Sequence, residues 1–266
     1  TMLTFETQFG PLTVRAHGPA DGPLLLALHS SGSEGAQWDA LAARFGRHRV
    51  WAPNLFGHVG AGPWTGADPL HFETQIAALA EVLDEVHKPV VLVGHSLGGL
   101  IAARLAASRP TQVRGLALYE PVVFGVLHDG PSQLDDAPNL MRAFELYDPD
   151  APEVWMRAFV GYWSGEGIWE ILPPARQKAL LEVAHGLHDE AKAVTFDETS
   201  GAVFETVRAK TIVVHGTLSP PASRAMAERL TERIAGATRA CIDGAPHMGP
   251  ITHADAFHDH VATVLG

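Results

Sequence analysis

The sequence is poor in cysteine and in basic residues, and it has no long apolar run. Its one cysteine, Cys241, cannot form an internal disulfide, and only 19 lysines and arginines stand against 30 acidic residues, for a formal charge of −11. Nucleic acids and anionic membranes bind basic surfaces, so this charge argues against both as partners. No apolar stretch approaches the roughly 18 residues needed to cross a bilayer, and no N-terminal stretch has the pattern of a secretory signal. We therefore expect a cytoplasmic protein whose partner is a small-molecule substrate.

The apolar content is high enough for a large core. The 266 residues are 46% hydrophobic and 18% charged, which fits one large domain or a domain with an insertion. Near the N-terminus, apolar residues alternate with polar or small ones over Leu3–Phe9 and again over Leu12–Ala16, with Gly10-Pro11 between them. This alternation predicts an antiparallel hairpin with one buried face.

A different pattern follows the hairpin, in which short apolar runs without alternation are separated by segments of helical periodicity. Such runs are typical of parallel strands covered on both faces, and their alternation with helices predicts an α/β protein. The predicted strands are Leu24–Leu28, Val50–Leu55, Val90–Val93, Leu116–Tyr119, Thr211–Val214 and Thr238–Ile242. The predicted helices are Trp38–Phe45, Phe72–Val86, Leu97–Ala107, Ser223–Ile234 and Ala254–Leu265.

The alternation of strands and helices is interrupted between residues 125 and 207. Prolines punctuate this segment, its periodicity is mainly helical, and it holds Trp155, Trp163 and Trp169, three of the six tryptophans. We interpret 125–207 as a helical insertion over one end of the sheet, and 1–124 with 208–266 as the core domain. The aromatic residues of the insertion would then face the ligand crevice. The alternative is a set of extra core helices.

The most specific chemical pattern is VVLVGHSLGG, residues 90–99. A predicted strand runs into Gly94-His95-Ser96-Leu97-Gly98 and then into a helix rich in small residues. A serine on such a turn is exposed above the sheet at a helix N-terminus, where backbone N–H groups stabilise negative charge. Ser96 is therefore the candidate nucleophile.

Together with HSSGSEGAQW (29–38), NLFGHVGAG (54–62) and GAPHMGPITHADAF (244–257), this stretch resembles the α/β-hydrolase family over essentially the whole chain. The resemblance implies an α/β-hydrolase fold: a mostly parallel sheet with an N-terminal antiparallel hairpin and a helical lid. It also implies a general base after the last strand, where His247 stands, and an oxyanion hole of two backbone N–H groups. Leu97 would supply one of these groups and Ser31 the other, with Ser30 replacing a glycine that is usual in the family.

The acid that the family usually carries after the strand that follows the lid is missing. The corresponding loop, Gly216–Pro221, reads GTLSPP and holds no carboxylate. Some members take the acid from the end of the strand after the nucleophile helix, where this chain has Glu120. A carboxylate in that apolar context is costly to bury without a partner, and His247 is the partner we expect. The alternatives are that Glu120 pairs with an arginine or caps the insertion, and that Asp197 or Asp243 is the acid.

Five further residues are candidates for the substrate pocket: His29, Ser30, His95, Trp155 and Trp163. For the histidines, loop hydrogen bonds or packing are the alternative. No HExxH pattern, GxGxxG pattern or P-loop is present, so we predict neither a metal nor a cofactor.

These residues predict a cofactor-independent serine hydrolase that cleaves a small hydrophobic carboxylic ester through an acyl-enzyme. Other reactions on the same triad stay open, namely hydrolysis of a carbon–carbon bond, a thioester or a lactone, and perhydrolysis. A non-catalytic small-molecule-binding protein with the same fold is a further alternative, which only the missing loop acid supports. The sequence leaves a homodimer open.

Overall fold

One mixed sheet of eight strands organises the fold. The computed structural model describes residues 1–130 and 143–266. The strands are β1 (Met2–Thr7), β2 (Gly10–His17), β3 (Leu24–Leu28), β4 (Arg49–Pro53), β5 (Val90–His95), β6 (Val113–Tyr119), β7 (Lys210–Gly216) and β8 (Thr238–Ile242). They lie in the order β1-β2-β4-β3-β5-β6-β7-β8. The first two pairs of this order are antiparallel and the other five are parallel, which confirms the predicted class and sheet.

The N-terminal hairpin forms where the alternation predicts it. Leu12, Val14 and Ala16 of β2 are buried, while the residues between them are only half-buried. Gly10 allows the tight turn because its φ of +108° is one that side chains rarely permit. The hairpin extends the parallel sheet on one side through the pairing of β2 with β4.

The central strands are buried on both faces, which explains their unbroken apolar runs. Every residue of β3 and of β5 is buried. Leu24, Leu26 and Leu28 of β3 belong to one core cluster, whereas Leu25 and Ala27 belong to another. The two clusters therefore lie on opposite faces of the sheet, as a period of two requires.

Ten helices lie wholly within the described ranges, beside three short 3₁₀ segments at Gly35–Trp38, Phe124–His128 and Gly201–Thr206. They are α1 (Asp39–Arg44), α2 (Phe72–Glu85), α3 (Leu97–Ser108), α4 (Glu153–Ser164), α5 (Ile168–Ile171), α6 (Pro174–Glu182), α7 (Ala184–Thr195), α8 (Pro221–Arg233), α9 (Gly249–Thr252) and α10 (Ala254–Ala262). None of the helices in 1–130 and 143–266 is long and apolar enough to cross a membrane.

Helices α4 to α7, called the cap helices below, connect β6 to β7 in the region predicted as an insertion. They have an apolar cluster of their own, in which Trp155, Met156, Trp169 and Leu180 are buried. The predicted insertion also includes residues 131–142, which lie outside the described residues.

The prediction of two covered faces is wrong for β8. This strand has the predicted bounds, but it is the last in the sheet and pairs only with β7. Thr238, Arg239 and Cys241 are exposed, and only Ile242 is buried. An edge strand can keep a polar face in water, and the local sequence does not show which strand will be the last.

The carboxyl end of β3 leads into a buried histidine. His29 Nδ1–H donates to the Ser30 carbonyl at 2.8 Å, and Nε2 accepts from the Leu55 N–H at 3.1 Å. Burial, together with the neighbouring His58, lowers the pKa of His29 to about 3. The imidazole is therefore neutral in the folded protein over the physiological range.

This burial predicts that the protein loses stability in mild acid. Between pH 6.5 and about 3, the unfolded chain binds a proton at residue 29 that the folded protein does not bind. The free energy of unfolding should therefore fall as pH falls, by up to about 1.4 kcal/mol per pH unit from this group. Urea titrations from pH 7 to pH 5 measure the slope, which His29→Gln should reduce and the exposed control His87→Gln should leave unchanged. NMR spectra showing a protonated His29 in the folded wild type at pH 5 would contradict the prediction.

Candidate active site

Ser96 lies on a strained turn between β5 and α3. Its φ is +55°, and it is one of two non-glycine residues with positive φ in the described ranges. The glycines around it are needed for close packing: a Cβ on Gly94 would lie 2.4 Å from the Gly98 carbonyl oxygen, and one on Gly98 would lie 2.1 Å from the Leu28 carbonyl oxygen. The turn thus presents the serine above the carboxyl edge of the sheet, as the sequence pattern predicts.

Two backbone N–H groups beside Ser96 lack a protein acceptor. In residues 1–130 and 143–266, neither the Leu97 N–H nor the Ser31 N–H donates a hydrogen bond to the protein, whereas the next N–H along from each does. The Gly98 N–H donates to the His29 carbonyl at 3.1 Å, and the Gly32 N–H donates to His58 Nδ1 at 2.8 Å. The two free donors are those predicted for an oxyanion hole.

A buried polar chain fixes the loop that carries Ser31. His58 accepts the Gly32 N–H on Nδ1 and donates from Nε2 to the Glu190 carboxylate of cap helix α7 at 2.8 Å. Gln75 donates to the other Glu190 oxygen at 3.0 Å. Because Glu190 accepts a hydrogen bond from Nε2–H, it selects the His58 tautomer in which Nδ1 carries no proton. Nδ1 can then accept a hydrogen bond from the Gly32 N–H.

His247 and Glu120 form a buried pair across the sheet edge. His247 Nδ1–H donates to Glu120 Oε2 at 2.6 Å, and the side chains are 4% and 0% exposed. The second carboxylate oxygen accepts the Gly216 N–H at 2.8 Å. Burial alone would raise the pKa of Glu120, but the hydrogen bonds from His247 and Gly216 help to hold that pKa below its ordinary value. The carboxyl is therefore ionised at neutral pH and can stabilise positive charge on a neighbouring ring.

The backbone at Glu120 explains why the carboxylate reaches His247. Its φ is +44°, and the Glu120 N–H donates to the Val214 carbonyl at 2.9 Å. The chain thus leaves β6 in a backbone conformation that few residues other than glycine adopt. With this backbone, the Glu120 carboxylate lies beside Gly216, at the end of β7.

The alternative acids are engaged elsewhere. Asp243 is exposed and accepts from Thr217 Oγ1 at 3.3 Å. Asp197 accepts from the N–H and the hydroxyl of Thr199, at 3.1 and 2.6 Å. The loop 217–219 pairs its backbone with 242–245 and carries no carboxylate, so Glu120 is the acid that contacts His247.

The loop that carries His247 is held from below. Its carbonyl accepts His95 Nε2–H at 2.8 Å, and His95 Nδ1 accepts from Gln37 Nε2 at 3.1 Å. Gln37 Oε1 in turn accepts from the Ser30 N–H at 3.2 Å. This chain connects the loop of His247 with the loop that carries Ser31.

Ser96 and His247 open into one cavity of about 420 Å³ beneath the cap helices. Within the described residues the Ser96 hydroxyl makes no hydrogen bond. Catalytic hydrogen bonds often tighten only when substrate binds. The walls are mostly apolar. The lining residues are Ser30, Ser31, Gly32, Ser96, Met156, Phe159, Val160, Trp163, Ser164, Ile168, Leu172, Arg176, Leu180, Leu187, Pro246, His247, Met248, Ile251 and Thr252.

Two of the five predicted pocket residues line this cavity and three do not. Ser30 lines it, and the Trp163 ring lies 4.5 Å from the His247 ring. Trp155 faces the other way and is 0% exposed, because it packs in the cluster of the cap helices. His29 and His95 lie beneath the cavity with both ring nitrogens bonded to loops. For the histidines, the alternative of loop hydrogen bonds is correct.

The sequence does not indicate Arg176 or Glu190 as parts of the site, because both lie on amphipathic helices where charged residues usually face solvent. His58 follows a predicted strand end, where a histidine either lines the site or makes loop hydrogen bonds, and the structure shows the hydrogen bond to the Gly32 loop. No group of three or more histidine, cysteine or acidic side chains in 1–130 and 143–266 could hold a metal ion.

Comparison with known proteins places this chain in a family. A family model described as "Alpha/beta hydrolase family" matches residues 24–260. The chain is similar to Lipase LipV of Mycobacterium tuberculosis, with 41% identity over 113 residues, 42% of each chain. In several curated matches, including this one, the chain covers less than half of the relative's own length.

Solved structures show the same fold. A hydrolase from Pseudomonas aeruginosa PA01 superposes with a TM-score of 0.74 and 23% identity, covering 100% of this chain and 98% of that one. The enol-lactonase from Burkholderia xenovorans LB400 superposes with a TM-score of 0.73 and 19% identity, covering 99% of both chains. Since the family model spans nearly the whole chain, this protein belongs to the alpha/beta hydrolase family.

Proposed function

We propose that this protein is a cofactor-independent serine hydrolase that cleaves a small carboxylic ester, with Ser96 as nucleophile, His247 as base and Glu120 as the orienting acid. The observation that carries the proposal is the convergence on one cavity of a serine at positive φ, the unpaired N–H of Ser31 and an imidazole fixed by a buried carboxylate, with the unpaired N–H of Leu97 next to that serine. Family membership alone would not suffice, since one fold hosts many activities.

In the proposed reaction, His247 Nε2 takes the Ser96 hydroxyl proton as Oγ attacks the ester carbonyl carbon. The resulting oxyanion accepts the Ser31 and Leu97 N–H groups, and Glu120 stabilises the imidazolium. The imidazolium then gives its proton to the departing alcohol, which leaves an acyl-enzyme. Water, deprotonated by His247, attacks this acyl group, and the proton returns to Ser96 as the acid departs.

The shape of the cavity supports a small and largely apolar substrate. Its volume of about 420 Å³ lies at the lower end of the range for small-molecule sites, and its walls include Met156, Phe159 and Trp163. The alternative of a non-catalytic binding protein depended on the missing loop acid. The contact between Glu120 and His247 weakens that alternative, because an acid is available from β6.

Reaction with a fluorophosphonate tests whether Ser96 is activated. We expect intact-mass spectrometry to find one adduct on the wild-type protein and none on Ser96→Ala, because only an activated serine attacks the phosphorus at a useful rate. The exposed hydroxyl variant Thr263→Ala, at the end of the last helix and outside the cavity lining, should still be labelled. A folded wild-type protein without an adduct would contradict the proposal.

The role of the acid predicts a large loss of turnover in Glu120→Gln. We expect kcat on a simple aryl ester to fall by about 10³- to 10⁴-fold, because an amide neither fixes the Nδ1–H tautomer nor stabilises the imidazolium. Asp243→Asn is the matched control and should keep wild-type kcat, since that carboxylate contacts Thr217 instead. Near-normal turnover in a folded Glu120→Gln variant would refute this assignment of the acid.

The support beneath the oxyanion hole predicts an effect of Glu190→Gln. The amide would face the Gln75 amide and no longer fix the His58 tautomer, so the Gly32 loop should lose its geometry. We expect kcat to fall by about tenfold to a hundredfold, less than for a direct oxyanion donor, with little change in KM. Affinity for a trifluoromethyl ketone should fall in parallel.

The exposed variant Glu182→Gln, on the neighbouring helix α6, is the control for Glu190→Gln. It should change neither kcat nor inhibitor affinity. A Glu190→Gln protein that loses stability but keeps its trifluoromethyl ketone affinity would show that Glu190 supports the fold and not the hole.

A further inference from the structure

Arg176 is the one permanently charged side chain among the described residues that line the cavity, and we infer that it binds a carboxylate carried by the substrate. The preferred ester would then be a half-ester of a small dicarboxylic acid. This inference rests on the proposed function and specifies that the ester substrate carries a negative charge. It concerns Arg176 on the cavity wall, not the nucleophile.

The guanidinium of Arg176 is incompletely paired. Nη2 donates to the Gly32 carbonyl at 2.8 Å, which is the one hydrogen bond this side chain makes to residues 1–130 and 143–266. No acidic side chain in those ranges lies within ion-pair distance of it; Glu34 is near enough only for a longer-range attraction. An arginine has five N–H donors in a planar fork, so most of them remain available.

The surroundings of Arg176 favour an anion. It is half-buried, and burial lowers the pKa of its guanidinium from the ordinary value while leaving it charged at neutral pH. The described residues that line the cavity include no aspartate or glutamate, although the whole protein has a formal charge of −11. A partly desolvated cation among apolar side chains gains most from a charged hydrogen-bond partner, and a carboxylate matches the fork.

The position of Arg176 sets the distance between the two ends of the substrate. Its guanidinium contacts the carbonyl of Gly32, and Gly32 follows Ser31, whose N–H is the proposed oxyanion donor. Neighbouring Cα atoms are about 3.8 Å apart. A carboxylate on Arg176 would therefore stand only a few atoms from the ester carbonyl, which fits an acyl chain with two to four methylene groups.

The competing explanation is that Arg176 only ties cap helix α6 to the Gly32 loop. In that case its loss would weaken the hydrolysis of every ester alike. Charged and neutral substrates of the same shape therefore separate the two explanations.

The test uses monomethyl esters of succinic, glutaric and adipic acids, each against the methyl ester of the corresponding monoamide. The carboxamide keeps the shape of the carboxylate and removes its charge. We expect the wild-type enzyme to have at least a tenfold higher kcat/KM for the carboxylate of the best-fitting pair, measured as methanol release. Arg176→Gln should lower kcat/KM for the carboxylate about tenfold to a hundredfold more than for the carboxamide, the usual effect of losing a charged hydrogen bond, because loss of the Gly32 contact slows both substrates alike.

Two further variants sharpen the result. Arg176→Lys keeps the charge without the fork, so it should recover part of the preference. Arg157→Gln is the matched control on helix α4, where the arginine pairs with Glu153 and Glu170, and it should leave the preference intact. Equal losses on carboxylate and carboxamide in Arg176→Gln, or no preference in the wild type, would overturn the inference. Labelling of Ser96 by the neutral fluorophosphonate in the same protein separates that outcome from failure of the proposed function.

Discussion

The site depends on the hydrogen bond from His247 to Glu120, because it joins two loops that are 127 residues apart in the sequence. A buried carboxylate without such a donor would be costly, and an imidazole without the acceptor would be free to change its tautomer and orientation. Gly216 at the end of β7 supplies the second donor to the carboxylate. In this family the strand that corresponds to β7 usually leads to the acid. Here β7 carries no such side chain, but its backbone N–H at Gly216 stabilises the Glu120 carboxylate.

The fold could be predicted closely because its local and global requirements agree. The unbroken apolar runs of β3 and β5 are what a strand covered on both faces needs, and the alternation in β2 is what a half-covered strand needs. The prediction failed at β8, where Cys241 is exposed. A short strand sequence does not show whether the strand lies in the centre of a sheet or at its edge. The two positions differ only in whether a neighbouring strand pairs with it, and that depends on the rest of the fold.

Some residues of the candidate site could be predicted from the sequence and others could not. Ser96 lies in a stretch whose spacing is dictated by the turn it forms, so the sequence indicates it directly, whereas Leu97 and His247 follow from the resemblance to the family. Glu120 could be inferred because burying an acid requires a partner. Trp155 could not be placed correctly, because an aromatic residue on an amphipathic helix packs either against its neighbours or against a ligand, and only the docked helices decide which. Glu190 and Arg176 were missed for the opposite reason: charged residues on such helices usually face water.

Glu190 and Arg176 both act on Gly32, the first through His58 and the second directly. These contacts indicate what the cap helices contribute to the site. The N–H of Gly32 is held by His58, whose tautomer Glu190 selects from α7, and the carbonyl of Gly32 is held by Arg176 from α6. Both polar groups of one peptide residue beside the proposed oxyanion donor thus depend on side chains of the cap. If the cap helices moved away, the Gly32 loop would lose both hydrogen bonds together. The turn at Ser96 and the hydrogen bond between His247 and Glu120 would remain, because neither depends on the cap helices. The same arginine lines the cavity and holds this loop, so a ligand beneath the cap and the geometry of the proposed oxyanion donor are linked through one side chain.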